Sequence, residues 1–253
     1  MTATASSDGT ATHGYPTLGP EILKRRIRVV DLTREIFEGM PVWFGHQKTF
    51  INTNQTHDQF KDIYKTELGF EAHNLLISEH AGTHTDAVFE YDRNGPTIDK
   101  SPLEYYYGDA ICLDVSHIQY PDWITETVLE QALQKSGLDI RPGDTVLLYT
   151  GVGDQFYPDL AYTDKYPGLT REAALWLARQ GIVNIAVDNV AIDHSDDTDF
   201  SGHVVCGEYG IVNTEGLTNL DQVAGQRFLY FGLPLLIRDG TGSPIRAIAV
   251  LDL

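Results

Sequence analysis

The sequence predicts a single mixed α/β domain. In the middle of the chain, apolar β-branched runs alternate with amphipathic helical stretches, which is typical of a parallel βαβ layer. The two ends are richer in strands than in helices, and we expect them to add a second sheet or a barrel-like layer. At 253 residues, the chain is long enough to bury the core of one large domain.

The N-terminal third is predicted to hold two strands joined by loops. The run IRVVDLT over 27–33 is apolar and β-branched, and AHNLLISEH over 72–80 has the same character. Glycine and proline in EGMPVWFG over 38–45 indicate a loop. Residues 46–70 are mixed and polar, and their pattern predicts no element.

Two helices are predicted with both ends defined. Thr125 is the expected N-cap of a helix that ends at Gly137, and Thr170 is the N-cap of a helix that ends at Gly181. Strands are expected around them, at 109–115, within 141–151, at 182–190, and in the runs FLYFGLPLLI and IRAIAVLDL of the last quarter.

The charge balance limits the classes of partner. The formal net charge is −18, so nucleic acid and anionic membrane surfaces would repel the chain. The charge does not favour a cationic small-molecule substrate, because a binding site can be screened from the overall field. No GxGxxG follows a predicted strand, and neither a P-loop nor a GxSxG elbow is present.

Residues 1–25 are predicted to be a disordered tail, and 26–253 the folded domain. Its first fourteen residues, MTATASSDGTATHG, are small and polar, without a cationic start or an apolar run, so they do not have the pattern of a secretory signal. The two cysteines, Cys112 and Cys206, form no disulfide framework. A reducing compartment, the cytoplasm, is therefore the expected location.

The stretch SEHAGTHTDAVFE, residues 78–90, is the densest group of metal-binding side chains. It contains His80, His84, Asp86 and Glu90. Gly82 between the histidines favours a tight turn from strand to loop over a regular helix. Two imidazoles and a carboxylate suit Zn²⁺, Mn²⁺ or Fe²⁺. Spacing alone leaves open both a metal site and a set of hydrogen-bonded polar residues at a strand end.

Other polar residues give weaker signals. His203 and Glu215 flank VVCGEYGIVNT, which is predicted to be a hairpin or a strand-turn-strand unit. The segment DGTGSPIR is expected to be a tight turn before the last strand. Five aspartates predict a mostly solvated acidic loop: Asp188, Asp193, Asp196, Asp197 and Asp199. The remaining histidines are isolated and are expected to be structural or surface residues: His46, His57, His73, His117 and His194.

Several segments together resemble one family. HAGTHTDA resembles the HxGTHxDxP signature of the cyclase-type metal-dependent hydrolases, which include kynurenine formamidase and isatin hydrolase. The resemblance spans most of the chain outside 1–25 and parts of 46–70, and it is carried by VVDLTREIFEGMPVWFG, RPGDTVLLYTG, IVNIAVDNVAID, HVVCGEYGIVNTEGLTNLDQV and GTGSPIRAIAV. It implies a swivelling β/β/α single-domain fold and a homo-oligomer, a dimer or a tetramer.

The resemblance also implies roles for individual residues. His80, His84 and Asp86 match the first metal site of the family, and His203 and Glu215 match the additional ligands of its two-metal members. We therefore expect one or two divalent ions, Zn²⁺ or Mn²⁺.

One position departs from the family pattern. The family has a histidine four residues after the signature aspartate, where this sequence has Glu90. A carboxylate at this position can be a metal ligand or a general base, and His203 is then a ligand or a proton donor. Three aromatic residues are candidates for the wall of a pocket for a ring-bearing substrate: Trp43, Phe44 and Phe50. Packing within the loop is an equally good interpretation of Trp43.

The function implied by the resemblance is metal-dependent hydrolysis of a small amide, cyclic amide, arylformamide or lactone. The metal lowers the pKa of bound water and polarises the carbonyl group. Two alternatives remain. A lyase or dehydratase would use the same Lewis acid and carboxylate base, and a non-catalytic homologue would only bind a metal or ligand.

Overall fold

The computed structural model describes residues 27–252. The predicted tail over 1–25 lies outside these residues. Eleven strands are present in the described part: β1 (Ile27–Asp31), β2 (Phe50–Gln55), β3 (Ala72–Leu76), β4 (His84–Asp86), β5 (Tyr107–Asp114), β6 (Thr145–Tyr149), β7 (Asn184–Val187), β8 (Val212–Glu215), β9 (Arg227–Phe231), β10 (Gly242–Pro244) and β11 (Ile248–Asp252). Five α-helices accompany them: α1 (His57–Tyr64), α2 (Glu126–Ser136), α3 (Val152–Phe156), α4 (Arg171–Arg179) and α5 (Ser201–Tyr209).

Nine of these strands form one mixed sheet in the order β1-β11-β9-β5-β6-β7-β8-β4-β10. The four central strands, β5 to β8, run parallel, and the flanking strands pair antiparallel. The mixed α/β prediction is therefore confirmed. The strand-rich ends extend the central sheet on both sides, and only β2 and β3 form a separate two-stranded sheet.

The two helices with predicted ends form as expected. The Thr125 side chain accepts a hydrogen bond from Val128 N, and Gly137 ends α2 in the left-handed region. Thr170 caps α4 in the same way. Apolar residues of both helices pack on one face of the central sheet and form the largest core cluster, which includes Leu129 and Leu177.

Two segments differ from expectation. The hairpin predicted at VVCGEYGIVNT is wrong, because its first part belongs to helix α5 and only Val212–Glu215 is a strand. Its β-branched valines favour a strand, but Val205 and Cys206 are buried in the core, where α5 packs on α4. The segment DGTGSPIR, residues 239–246, is not only the predicted turn, because Gly242–Pro244 within it form strand β10, which pairs with β4.

No helix among residues 27–252 is long and apolar enough to cross a membrane.

Candidate metal centre

The site is assembled on two neighbouring antiparallel strands at one side of the sheet. In the register of β4 and β8, His84 lies opposite Glu215, and Asp86 lies opposite Asn213. Side chains alternate along a strand, so these four residues project from the same face. Gly82 adopts φ +67 just before β4, which supports the predicted turn. This turn brings the preceding His80 back over the strand.

The first ligand group contains His80, His84 and Asp86, and its donor atoms all lie within 4.8 Å of one another. His80 Nδ1 is 2.6 Å from Asp86 Oδ1, and His84 Nε2 is 3.5 Å from the same oxygen. The side chains of His84 and Asp86 are buried. The structure thus brings together the three residues that spacing alone could not assign to one site.

Hydrogen bonds orient both imidazoles of this group. His84 Nδ1 donates to Gly82 O at 3.0 Å, which leaves His84 Nε2 as a free lone pair. His80 Nε2 donates to Thr241 Oγ1 at 2.9 Å, and the Thr241 hydroxyl donates to Glu79 Oε2 at 2.7 Å. His80 Nδ1 then faces Asp86 Oδ1, so in the metal-free protein this nitrogen carries the proton of that hydrogen bond, and a bound ion would replace it. Two imidazole nitrogens and the Asp86 carboxylate therefore converge, as a divalent cation requires.

A second ligand group shares Asp86 with the first and adds Glu90 and His203, again within 4.8 Å. His203 Nε2 lies 3.9 Å from Asp86 Oδ2 and 3.4 Å from Glu215 Oε1. Glu215 is fixed by hydrogen bonds from Asn213 Nδ2 at 2.7 Å and from a backbone amide at 3.0 Å. The two oxygens of Asp86 thus face different groups, as in a carboxylate that bridges two ions.

Asp193 is a site residue that the sequence did not reveal. It is buried, and its carboxylate accepts a hydrogen bond from Nδ1 of His203, which turns His203 Nε2 towards the ligands. The expected solvated acidic loop is wrong for Asp193 and Asp188, which are both 2% exposed. Asp188 accepts hydrogen bonds from Thr150 and Gly151. Only their position at the end of a predicted strand indicated a buried role.

The charges of the cluster are strongly interdependent. Burial favours neutral Asp86, but His80 and His84 outweigh it and hold the pKa of Asp86 well below its usual range. Burial lowers the pKa of His203, but Asp193 reverses the effect and the net shift is well upward. Burial and the nearby Asp86 carboxylate raise the pKa of Glu90 to about 10. Carboxylates crowded at this density fit a site that is completed by positive charge.

A cavity of about 350 Å³ opens above the ligands. Of the three aromatic residues expected in its wall, only Trp43 lines it. Phe44 is 97% exposed, Phe50 on β2 is 48% exposed, and neither contributes to the cavity. The wall also contains Tyr91 and Phe200, which sequence patterns did not single out.

His46 was expected to be structural or at the surface, but it lines the same cavity. Its ring lies 4.9 Å from the His80 ring and 5.4 Å from the Trp43 ring, centroid to centroid. No local pattern links position 46 to position 80, because the contact depends on how the loop after β1 folds back over the sheet. The surface role expected for His57 and His73 agrees with the structure, where both are exposed and bond Glu71.

The sequence and the fold are similar to those of known proteins. A family model, Cyclase, matches residues 30–194. Kynurenine formamidase of Salinibacter ruber is 30% identical over 220 residues, which are 87% of this chain and 96% of the relative. Isatin hydrolase A from Ralstonia solanacearum superposes with a TM-score of 0.78 at 26% identity, covering 96% of this chain and all of that one. An isatin hydrolase bound to the product analogue thioisatinate has the same fold, with a TM-score of 0.81 at 21% identity, covering 93% of this chain and 97% of the other.

Proposed function

This chain belongs to the Cyclase family and is a metal-dependent hydrolase of amide bonds, and from that premise we propose that its substrate is a small ring-bearing amide. Arylformamides and cyclic amides are the first candidates, and lactones are the next. The observation that carries the proposal is the convergence of His80, His84 and Asp86 below a cavity with aromatic walls. The aromatic side chains Trp43 and Phe200 suit a planar ring.

We assign the first ion to His80, His84 and Asp86. Two imidazole nitrogens and one carboxylate are a donor set that suits Zn²⁺ or Mn²⁺. A divalent ion held there supplies a Lewis acid that polarises the scissile carbonyl and lowers the pKa of the attacking water. Thr241 and Glu79 keep His80 in the tautomer that presents Nδ1 to the site.

Proton transfer is assigned to Glu90 and His203. Glu90 Oε1 lies 3.5 Å from His80 Nε2, and the side chain borders the cavity. In this assignment a cation bound to the neighbouring ligands would keep Glu90 ionised at neutral pH. Glu90 could then accept a proton from the attacking water and return it to the leaving nitrogen. His203 presents Nε2 to the same space because Asp193 holds Nδ1, and it donates a hydrogen bond to the developing oxyanion when it carries a proton.

A two-ion site is the competing arrangement. In this arrangement Asp86 would belong to both ligand groups, and Glu90 and His203 would hold the second ion, with Glu215 as a further candidate ligand. The number of metal ions per protein chain separates the two arrangements. One ion per chain leaves the Glu90 carboxylate free for proton transfer, whereas two ions per chain would make Glu90 a metal ligand.

The proposed reaction is tested by a screen of N-formylkynurenine, isatin, cyclic imides and lactones in oxygen-18 water. Hydrolysis places one solvent oxygen in the new carboxylic acid. A lyase or dehydratase on the same site would release a product without that label. Turnover without incorporation would therefore overturn the hydrolase assignment.

We also propose that the chain forms a homo-oligomer in a reducing compartment, the cytoplasm. The segment over 50–76, which we call the arm, contains β2, α1 and β3, and none of its residues is buried. A two-stranded hairpin is marginal alone in water, yet the arm exposes Leu68, Phe70 and Leu75. A second copy of the chain would cover them. The two cysteines are unpaired and buried, which agrees with a reducing environment.

A further inference from the structure

The mouth of the cavity is formed by the loop that leads into α5. Phe200 and Val204 are 45% and 42% exposed, and both line the cavity together with the exposed Asp199. Phe200 has φ +51, a left-handed conformation that is rare for an aromatic residue. This conformation places its ring 6.4 Å from the ring of Trp43 across the opening. Asp199 directly precedes Phe200 and lines the same cavity as this aromatic pair.

Among the described residues that line the cavity, four are acidic, four are histidines and none is a lysine or an arginine. Three of the histidines, His80, His84 and His203, belong to the ligand cluster, and burial lowers the pKa of the fourth, His46. Three of the four acidic residues, Asp86, Glu90 and Glu215, lie in the ligand cluster, where bound metal would compensate them. Asp199 is the acidic residue outside that cluster, on the exposed segment before α5.

The neighbouring cation does not change this balance. Arg34 borders a small recess that shares Trp43 and His80 with the cavity. Its guanidinium, however, packs against the rings of Tyr157 at 4.4 Å and Tyr162 at 5.0 Å, and it donates to Asp188 O. Arg34 is 7% exposed, so its donors are directed into the protein and away from the mouth.

We infer that the cavity selects ring-bearing substrates whose remote substituent is neutral or cationic and disfavours a remote carboxylate, with Asp199 as the residue that sets this preference. The inference rests on the proposed function and specifies its substrate class. A remote carboxylate would meet the Asp199 carboxylate without a basic partner, whereas a remote ammonium group would form an ion pair beside two aromatic rings.

The preference is measured with three formanilides that differ only in the para substituent: methyl, aminomethyl and carboxymethyl. The methylene group keeps the leaving-group chemistry similar, so the ratio of kcat/KM values reports the charge preference. An exposed ion pair changes affinity by roughly two- to fivefold. We expect the aminomethyl substrate to exceed the carboxymethyl substrate by about four- to twentyfold at low salt, and the ratio to shrink at high salt.

Variants locate the effect. Asp199→Asn should bring the ratio towards one, and Asp199→Lys should invert it. Glu130→Gln removes the same charge from an exposed site on α2 outside the cavity, and its ratio should equal that of the parent. Equal ratios in the parent and in Asp199→Lys would overturn the inference, as would a Glu130→Gln shift as large as that of Asp199→Asn.

A binding readout separates this inference from the proposed reaction. Dissociation constants of para-substituted acetophenones with the same three substituents are measured on the metal-loaded protein by calorimetry. If the aminomethyl compound binds most tightly and the carboxymethyl compound most weakly, the inference is supported. If no formanilide is turned over in the same protein, that result counts against arylformamide hydrolysis and leaves the charge preference supported. Equal dissociation constants, or preference for the carboxylate, overturn the inference whatever the turnover.

Discussion

Replacing Glu90 by glutamine should abolish most turnover while the first ion stays bound. The amide is nearly isosteric, so the packing around the 26% exposed side chain changes little. It cannot accept a proton at neutral pH, and loss of a positioned general base costs roughly a hundred- to ten-thousandfold in rate. His80, His84 and Asp86 are untouched, so the metal content of the first group should persist.

The same substitution should stabilise the protein after its metal has been removed. Burial and Asp86 raise the pKa of Glu90 from its ordinary value of 4.5 to about 10. The folded chain thus binds this proton more tightly than the unfolded chain, and stability falls as pH rises between these two values. At pH 7 Glu90 ionises in the unfolded chain but not in the folded one, which favours unfolding by roughly 3 kcal/mol. Glutamine does not ionise in either state, so the variant lacks this destabilisation.

Both effects are measurable on one preparation. Steady-state kinetics and metal analysis follow turnover and occupancy, and thermal melts of chelated protein from acidic to alkaline pH follow stability. Turnover at the parent rate with unchanged metal would make Glu90 a bystander. Parallel melting curves for parent and variant across this pH range would refute the charge argument. Glu90→His should restore part of the activity, since the family has histidine at this position.

Three further predictions concern the surroundings of the site. Asp193→Asn should lower kcat by roughly ten- to a hundredfold, because the partner that orients His203 is weakened, and it should lower the pKa of His203 as followed by NMR. Leu177→Ala should reduce the free energy of unfolding by roughly 2–5 kcal/mol in chemical denaturation, without changing the metal ratio. Light scattering should give a mass above the 28.2 kDa of one chain, and Phe70→Ser in the arm should lower it, whereas the exposed control Leu160→Ser should not.

Short sequence patterns correctly predicted features that depend only on residues close together in the chain. The Thr125 and Thr170 side chains cap their helices as expected, because an N-cap needs only the first turn that follows. The turn at Gly82 and the cluster of His80, His84 and Asp86 lie within seven residues, so spacing was informative there. The resemblance to the family extended this set to His203 and Glu215, which no local pattern could connect.

Contacts between segments that only the fold brings together could not be predicted from the sequence. His46 meets His80 only because the loop after β1 folds over the sheet, and Asp193 bonds His203 only because the strand-end loop reaches the start of α5. The valines of α5 favour a strand by local propensity, but the segment is a helix because Val205 and Cys206 are buried where α5 packs on α4. Phe44 and Phe50 were expected to line the pocket but do not. Their apolar character could not show which side of the loop or strand faces the cavity.

The metal centre is tested most directly by a titration of metal into chelated protein, with bound metal and amide hydrolysis measured at each point. Activity should rise in proportion to the first ion bound. His84→Ala, which removes one nitrogen of the first group, should bind that ion weakly and stay inactive. Full activity in protein without bound metal, or in His84→Ala without the ion, would contradict the assignment of His80, His84 and Asp86 as the metal centre.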